Sequence, residues 1–136
     1  MAYFSETAYG EDGRWVSGSL TASDTAGAIF NWTNIEEGAV IVDEVYVDVT
    51  TKTTSACTLD VGYTATSTAT SSDTLIDGQN INAAIGVFSN LRGVGTGNAV
   101  GVVKVAKGKY ITASKKTGAA AGLVGKWYLH YRKVRP

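Results

Sequence analysis

The sequence predicts an all-β protein, a single-domain antiparallel β-sandwich of jelly-roll-like type, with an extended N-terminal arm and at most one short helix. Three observations predict it. From Leu123 to Val134 (LVGKWYLHYRKV) the apolar residues Leu123, Trp127, Leu129 and Tyr131 share a parity with Gly125, while Lys126, Tyr128, His130 and Arg132 take the other, the period of a strand. Thr is abundant and Leu scarce, with 44% hydrophobic and only 18% charged residues, a composition that suits pleated structure. Short apolar runs recur between Gly, Asp and Ser turns, enough for seven or eight strands. At 136 residues the chain fits one domain, divided into an arm (residues 1–15) and a sandwich (residues 16–136).

In the arm, Tyr3, Phe4, Tyr9 and Trp15 stand among polar residues, and Gly10 and Gly13 interrupt any regular element. It either folds onto its own domain or lies across a neighbour, since aromatic anchors with few charges suit a buried contact. Val16–Ser23 and Ala28–Asn34 are short candidate strands separated by a turn at Asp24–Gly27. Glu36-Glu37-Gly38 turns the chain into the longest β-branched run, Val40 to Thr50. There Ile41, Val45, Val47 and Val49 share a face with Asp43 as the exception, and Val42, Glu44, Tyr46 and Asp48 share the other.

Thr58–Thr64 alternates, with Leu59, Val61 and Tyr63 inward and Asp60, Gly62 and Thr64 outward; each inward side chain contributes ~1.5–3 kcal/mol before entropy is subtracted. Thr64–Thr74 is polar and low in complexity, an exposed loop. Asn80 to Asn90 reads as a short helix or packed loop, because Ile81, Ala84, Ile85 and Phe88 recur at helical spacing. Val100–Ala106 and Tyr110–Ser114 are strands, and Lys115-Lys116-Thr117-Gly118 is a turn before the closing strand.

Charge is balanced but lopsided. All twelve acidic residues lie between Glu6 and Asp77, with only Arg14 and Lys52 beside them, and ten basic residues follow, so the two parts carry −10 and +10. Either the parts interleave and their charges face one another across strands, each pair worth ~0.2–1 kcal/mol, or the domain keeps an acidic and a basic side for a charged partner or a second copy. Under the first arrangement the closing strand pairs with, or packs near, Val40–Thr50. A nucleic-acid partner does not fit, because the basic residues are dispersed and the acidic part repels phosphates. The N-terminus lacks a basic head and an apolar run, so no signal peptide is expected, and no segment reaches the roughly 20 apolar residues a spanning helix needs.

No motif carries chemistry. His130, the only histidine, sits beside Lys126 and Arg132 with no carboxylate near it in sequence, which makes it a poor general base and a better surface or interface ring. Cys57 stands alone, so neither a disulfide nor a zinc site is expected of it. GVGTGNAVG lacks the Lys-Ser/Thr of a phosphate loop. Asp73, Asp77 and Asn80 around Gly78 do not match a calcium loop. The acids Glu36/Glu37 and Asp43/Glu44 are better read as a turn and a solvated strand face than as hydrolytic pairs. No enzyme activity, cofactor or metal is expected.

Three blocks, AGAIFNWTNIEEGAVIVDEVYVDVTT, LDVGYTAT…SSDTLIDGQNINAAIGVFSN and GKYITASKKTGAAAGLVGKWYLHYRKV, resemble the β-sandwich decoration (cementing, head-stabilising) proteins of tailed bacteriophages. The resemblance implies a virion structural protein, made in the host cytoplasm, that binds the capsid exterior and stiffens it. Its partners would be the major capsid protein and copies of itself, as trimers, with no nucleic acid or membrane. Because the blocks are core strands, no binding residue is transferred; the candidate protein contacts are Tyr3, Phe4, Tyr9, Trp15, Lys126, His130 and Arg132, chosen for aromatic spacing and charge. Two alternatives stand beside this: a carbohydrate-binding fibre or lectin-like module, for which Trp32 with Asn31 and Asn34 is the one qualifying local cluster, and a tail-tube or head-completion subunit.

Overall fold

The computed structural model describes residues 13–83, 85–91 and 102–134. Among them lie nine strands and no helix: β1 (Gly13–Ser19), β2 (Phe30–Thr33), β3 (Val40–Thr51), β4 (Cys57–Thr64), β5 (Ile76–Asn80), β6 (Gly86–Ser89), β7 (Val103–Val105), β8 (Tyr110–Gly118) and β9 (Val124–Lys133). They form two antiparallel sheets, one ordered β1-β9-β3-β6 with β7 also on β3, the other β2-β8-β4-β5. β7 pairs with residues 40–42 of β3 and β6 with residues 46–49, so the two short strands share one edge of β3 while β9 takes the other.

The closing strand behaves as its alternation predicts. Trp127, Leu129 and Tyr131 are buried, and Lys126, Tyr128 and Arg132 are exposed. It lies between β1 and β3, with Trp15 opposite His130 on one side and Glu44 opposite it on the other. The predicted neighbourhood of the closing strand and Val40–Thr50 is therefore direct pairing. Across the sandwich, Phe30 stacks on Trp127 at 4.6 Å and Trp32 meets Tyr131 at 4.9 Å, tying β2 to β9. Val40, Val42, Val45, Val47 and Val49 of β3 fill the centre with Leu59, Val61 and Ile111.

The first half of β3 departs from the expected parity. Val42, not Ile41, is buried, and the register with β9 shifts between Val42 and Glu44. Asp43 is the extra residue of a β-bulge, so the strand's two halves bury opposite parities. Asn90 secures the bulge from the gap between β6 and β7. Its side-chain amide accepts from the Val45 N–H at 2.8 Å and donates to the Asp43 carbonyl at 3.0 Å.

Other boundaries also move. The first strand begins at Gly13, so Trp15 belongs to the sheet, not to the arm. Lys115–Gly118 is not a turn: β8 continues through it, pairing with β4, and Thr58 and Thr117 share a 2.7 Å hydroxyl contact. The helical spacing over Asn80–Asn90 does not make a helix. β5 ends and β6 begins inside that stretch, because the edges of β4 and β3 offer ladder partners that a short local pattern cannot outweigh. Ile81 is buried and Ile85 exposed, so those residues share no apolar face.

The polar segment after β4 is not simply exposed. Ser71 is buried, its hydroxyl 2.8 Å from those of Thr112 and Ser114 on β8. Ser114 Oγ also accepts from the Gly27 and Ser71 N–H groups at 2.7 and 3.0 Å. A Cβ at Gly62 would collide with Ser72 and Thr74, so the glycine lets this segment lie directly on the sheet. That cover explains why Asp60, Gly62 and Thr64, expected to face outward into solvent, are buried. The second sheet is thus partly covered on its outer face, over Asp60, Gly62 and Thr64, whereas among the described residues the first sheet keeps Trp15, Lys126 and Tyr128 exposed on its own, open, face.

Candidate functional site

The open face of the first sheet carries the most chemically varied group of side chains among the described residues. Alternation along β1 turns Trp15 outward while Val16 packs inward, and Trp15 remains 53% exposed. Its ring sits 4.9 Å from His130, its strand partner, and stacks on Tyr46 of β3 at 5.9 Å. Tyr128 continues the row opposite Tyr46, itself 36% exposed. Such rings present large, stiff contact area at small entropic cost.

The bulge supplies the acids. Asp43 Oδ1 lies 2.7 Å from His130 Nδ1, and its other oxygen lies 3.5 Å from Arg132 Nε. Glu44 Oε1 accepts the Tyr46 hydroxyl at 2.6 Å, which raises the pKa of that phenol. The carboxylate that His130 lacks in sequence therefore comes from the adjacent strand, 87 residues away. Further along the face, Lys126 is opposite Asp48, and Ser19, Thr50, Val124, Gly125 and Tyr128 help line a shallow depression of about 420 Å³.

At the end of the sandwich where β9 finishes, Glu36 gathers a second group. Tyr131 donates to it at 2.6 Å, and Arg14 Nε and Lys133 Nζ each lie 3.5 Å away. The Tyr131 hydrogen bond, aided by the two cations and opposed by burial, lowers the Glu36 pKa. Burial first, then Glu36, pushes Tyr131 up to about 12. Of the ion pairs among the described residues, those of Lys115 with Asp24, Lys116 with Asp77, His130 and Arg132 with Asp43, and Lys133 with Glu36 join the acidic part of the chain to the basic part. The two parts do interleave, and much of the basic face of β9 is matched within the chain.

Four of the seven predicted contact residues, Trp15, Lys126, His130 and Arg132, fall on this one face. Tyr3, Phe4 and Tyr9 lie outside the described residues, as does GVGTGNAVG. Sequence reasoning did not join Tyr46 to this group and took the bulge acids for a solvated strand face, whereas the Asp43 side chain is only 22% exposed; the parity exception at Asp43 was the one signal. The proposed sugar-binding cluster is not assembled at the surface, where only its Asn31 is exposed. Trp32 is buried against Tyr131, and Asn34 is buried with its amide bonded to the carbonyls of Gly38 and Val105 at 3.0 Å. Cys57 is buried in the core, and burial raises its thiol pKa.

No family model matches this chain, and no curated protein matches it. Among solved structures it is similar to a chain described as the capsid of Ralstonia phage GP4, with a TM-score of 0.57 and 19% identity over 92% of this chain and 86% of that one. At that identity the likeness is one of fold.

Proposed function

We propose that this chain is a non-enzymatic virion structural protein that binds the outer surface of a phage capsid and stabilises the shell. The observation that carries this reading is the shared fold with a phage capsid chain over 92% of the sequence. The strand pairs β1–β9, β2–β8, β3–β6 and β4–β5 support the jelly-roll form of that fold, since with β7 set aside they nest from the chain's ends inward. The difference between the two outer faces supports the rest. A polar segment lies over part of one sheet, while the other offers Trp15, Tyr46, Tyr128 and Lys126, a surface suited to the capsid protein. On a shell, many modest contacts sum through multivalency, and self-association into trimers would multiply them further.

The test is sedimentation with heads purified without this protein. Wild-type chain should co-sediment saturably and raise the temperature at which the heads disrupt. Trp15→Ala and Tyr128→Ala should each weaken binding roughly tenfold or more while the free protein keeps its melting temperature. Removing residues 1–12, which spares β1, asks separately whether the arm contributes. Heads that take up no wild-type protein would overturn the proposal.

A further inference from the structure

The bulge in β3 sets two consecutive carboxylates beside the chain's one imidazole. We infer that Asp43, Glu44 and His130 form a binding site for a first-row divalent cation, zinc above all. One donor atom from each of the three lies within 4.8 Å of the other two. The pair His130 Nδ1 and Asp43 Oδ1 is already at 2.7 Å. Ligand atoms around a tetrahedral zinc stand about 3.3 Å apart, given metal–ligand distances of about 2.0–2.2 Å. That pair needs to open by only about half an ångström and Glu44 to swing inward to meet it.

Three features separate this group from an ordinary exposed acid pair. The first is restraint. The His130 and Asp43 side chains are only 17% and 22% exposed, and the His130 ring lies against Trp15. The second is outer support. Tyr46 holds one oxygen of Glu44, and Asn90 holds the Asp43 backbone, the type of buttressing that orients metal ligands. The third is donor chemistry. One imidazole and two carboxylates leave a fourth position for water or a partner's side chain, as open zinc sites do, whereas calcium takes six to eight oxygens. Arg132 stands against the site, offsetting part of the Asp43 charge at 3.5 Å. Its side chain is 56% exposed, so it is able to turn into solvent as a cation enters.

The site sits under Trp15 on the open face, so a bound ion would stiffen the contact surface. This inference stands independently of the capsid reading. The experiment is calorimetric titration of zinc chloride into untagged, chelator-treated full chain. The expected result is saturable uptake of one ion per chain. His130→Ala and Glu44→Gln should abolish it, and Tyr46→Phe should weaken it roughly 10–100-fold. Asp77→Asn, altering a carboxylate elsewhere, should leave it unchanged. Cobalt should quench Trp15 fluorescence in the wild type and not in Glu44→Gln, a variant of an outward side chain that guards against a misfolded His130→Ala. Absence of saturable uptake, or uptake that survives both His130→Ala and Glu44→Gln, would overturn the inference.

Discussion

The Asn90 side chain donates to the backbone carbonyl of Asp43 at 3.0 Å, across 47 residues of sequence. With its other amide atom it accepts from the Val45 N–H, so one side chain stands in for a strand on the edge of β3 between β6 and β7. Everything the bulge presents outward, from Asp43 to its contact with His130, rests on that clip.

Asn90→Ala should therefore cost about 2–3 kcal/mol, because it strands a buried donor and a partly buried acceptor at once. Thermal unfolding gives the size of the effect. Hydrogen exchange locates it, with the Val45 amide losing protection while the core of β4 keeps its own.

Ser114→Ala should cost a similar amount for a related reason. Its hydroxyl oxygen accepts from the N–H groups of Gly27 and Ser71, both far away in sequence, and alanine leaves both without that acceptor. Proteolysis should then cut first within residues 65–74, the segment the hydroxyl holds to the sheet. An unaltered cleavage pattern would show that the segment is held otherwise.

Asp60→Asn should stabilise the protein at neutral pH. Burial raises the Asp60 pKa above its ordinary 3.8, so the folded state holds that proton more tightly than the unfolded chain does, and the associated stability is lost as pH rises through the folded value. Asparagine keeps the carbonyl oxygen that accepts from the Gly78 N–H at 2.8 Å and carries no charge. Urea titrations should show a gain on the order of 1 kcal/mol at pH 7 that disappears near pH 3.

The Tyr131–Glu36 contact gives a two-sided pH signature. Glu36 has a lowered pKa, so its contribution is present above the ordinary carboxylate value of 4.5 and fades as pH falls through the folded value. Tyr131 has a raised one, so its contribution is complete below pH 10 and fades as pH climbs towards about 12. Tyr131→Phe should lower stability at pH 7 by about 1.5–3 kcal/mol and flatten the alkaline limb of the stability profile. A limb of unchanged steepness would assign the alkaline loss to other groups.

Much of this architecture was legible in the residues, and the places where it was not share a cause. Alternation in Leu123–Val134 predicted its buried face, and the one-sided charge distribution pointed to its pairing with β3. Period-two reading fails at a bulge, because one inserted residue inverts the parity of all that follows; hence Ile41 and Val42 exchanged places around Asp43. Trp32 and Asn34 look like a surface cluster by residue type, yet an aromatic between two polar neighbours is also what a two-sided strand looks like. Ser71 illustrates the opposite error: polar composition suggested exposure, and a cluster of hydroxyls satisfied one another instead. The site joins β1, β3 and β9, so no local window of the sequence contains it.

The position of β9 has a consequence for how the molecule comes into being. Of the described strands, the one at the middle of the open sheet is made last, and β1 pairs with no other described strand in that sheet. While residues 124–133 are still within the ribosome, β1 and β3 have no bridge between them, and Trp127 and Tyr131 are missing from beneath Phe30 and Trp32. Completing the open sheet therefore requires joining segments more than a hundred residues apart, from Gly13 to Arg132, a non-local pairing of the kind that slows folding. The open face, with Trp15 against His130 and Asp43 beside it, is assembled in that same event and does not exist until β9 has paired with both its neighbours.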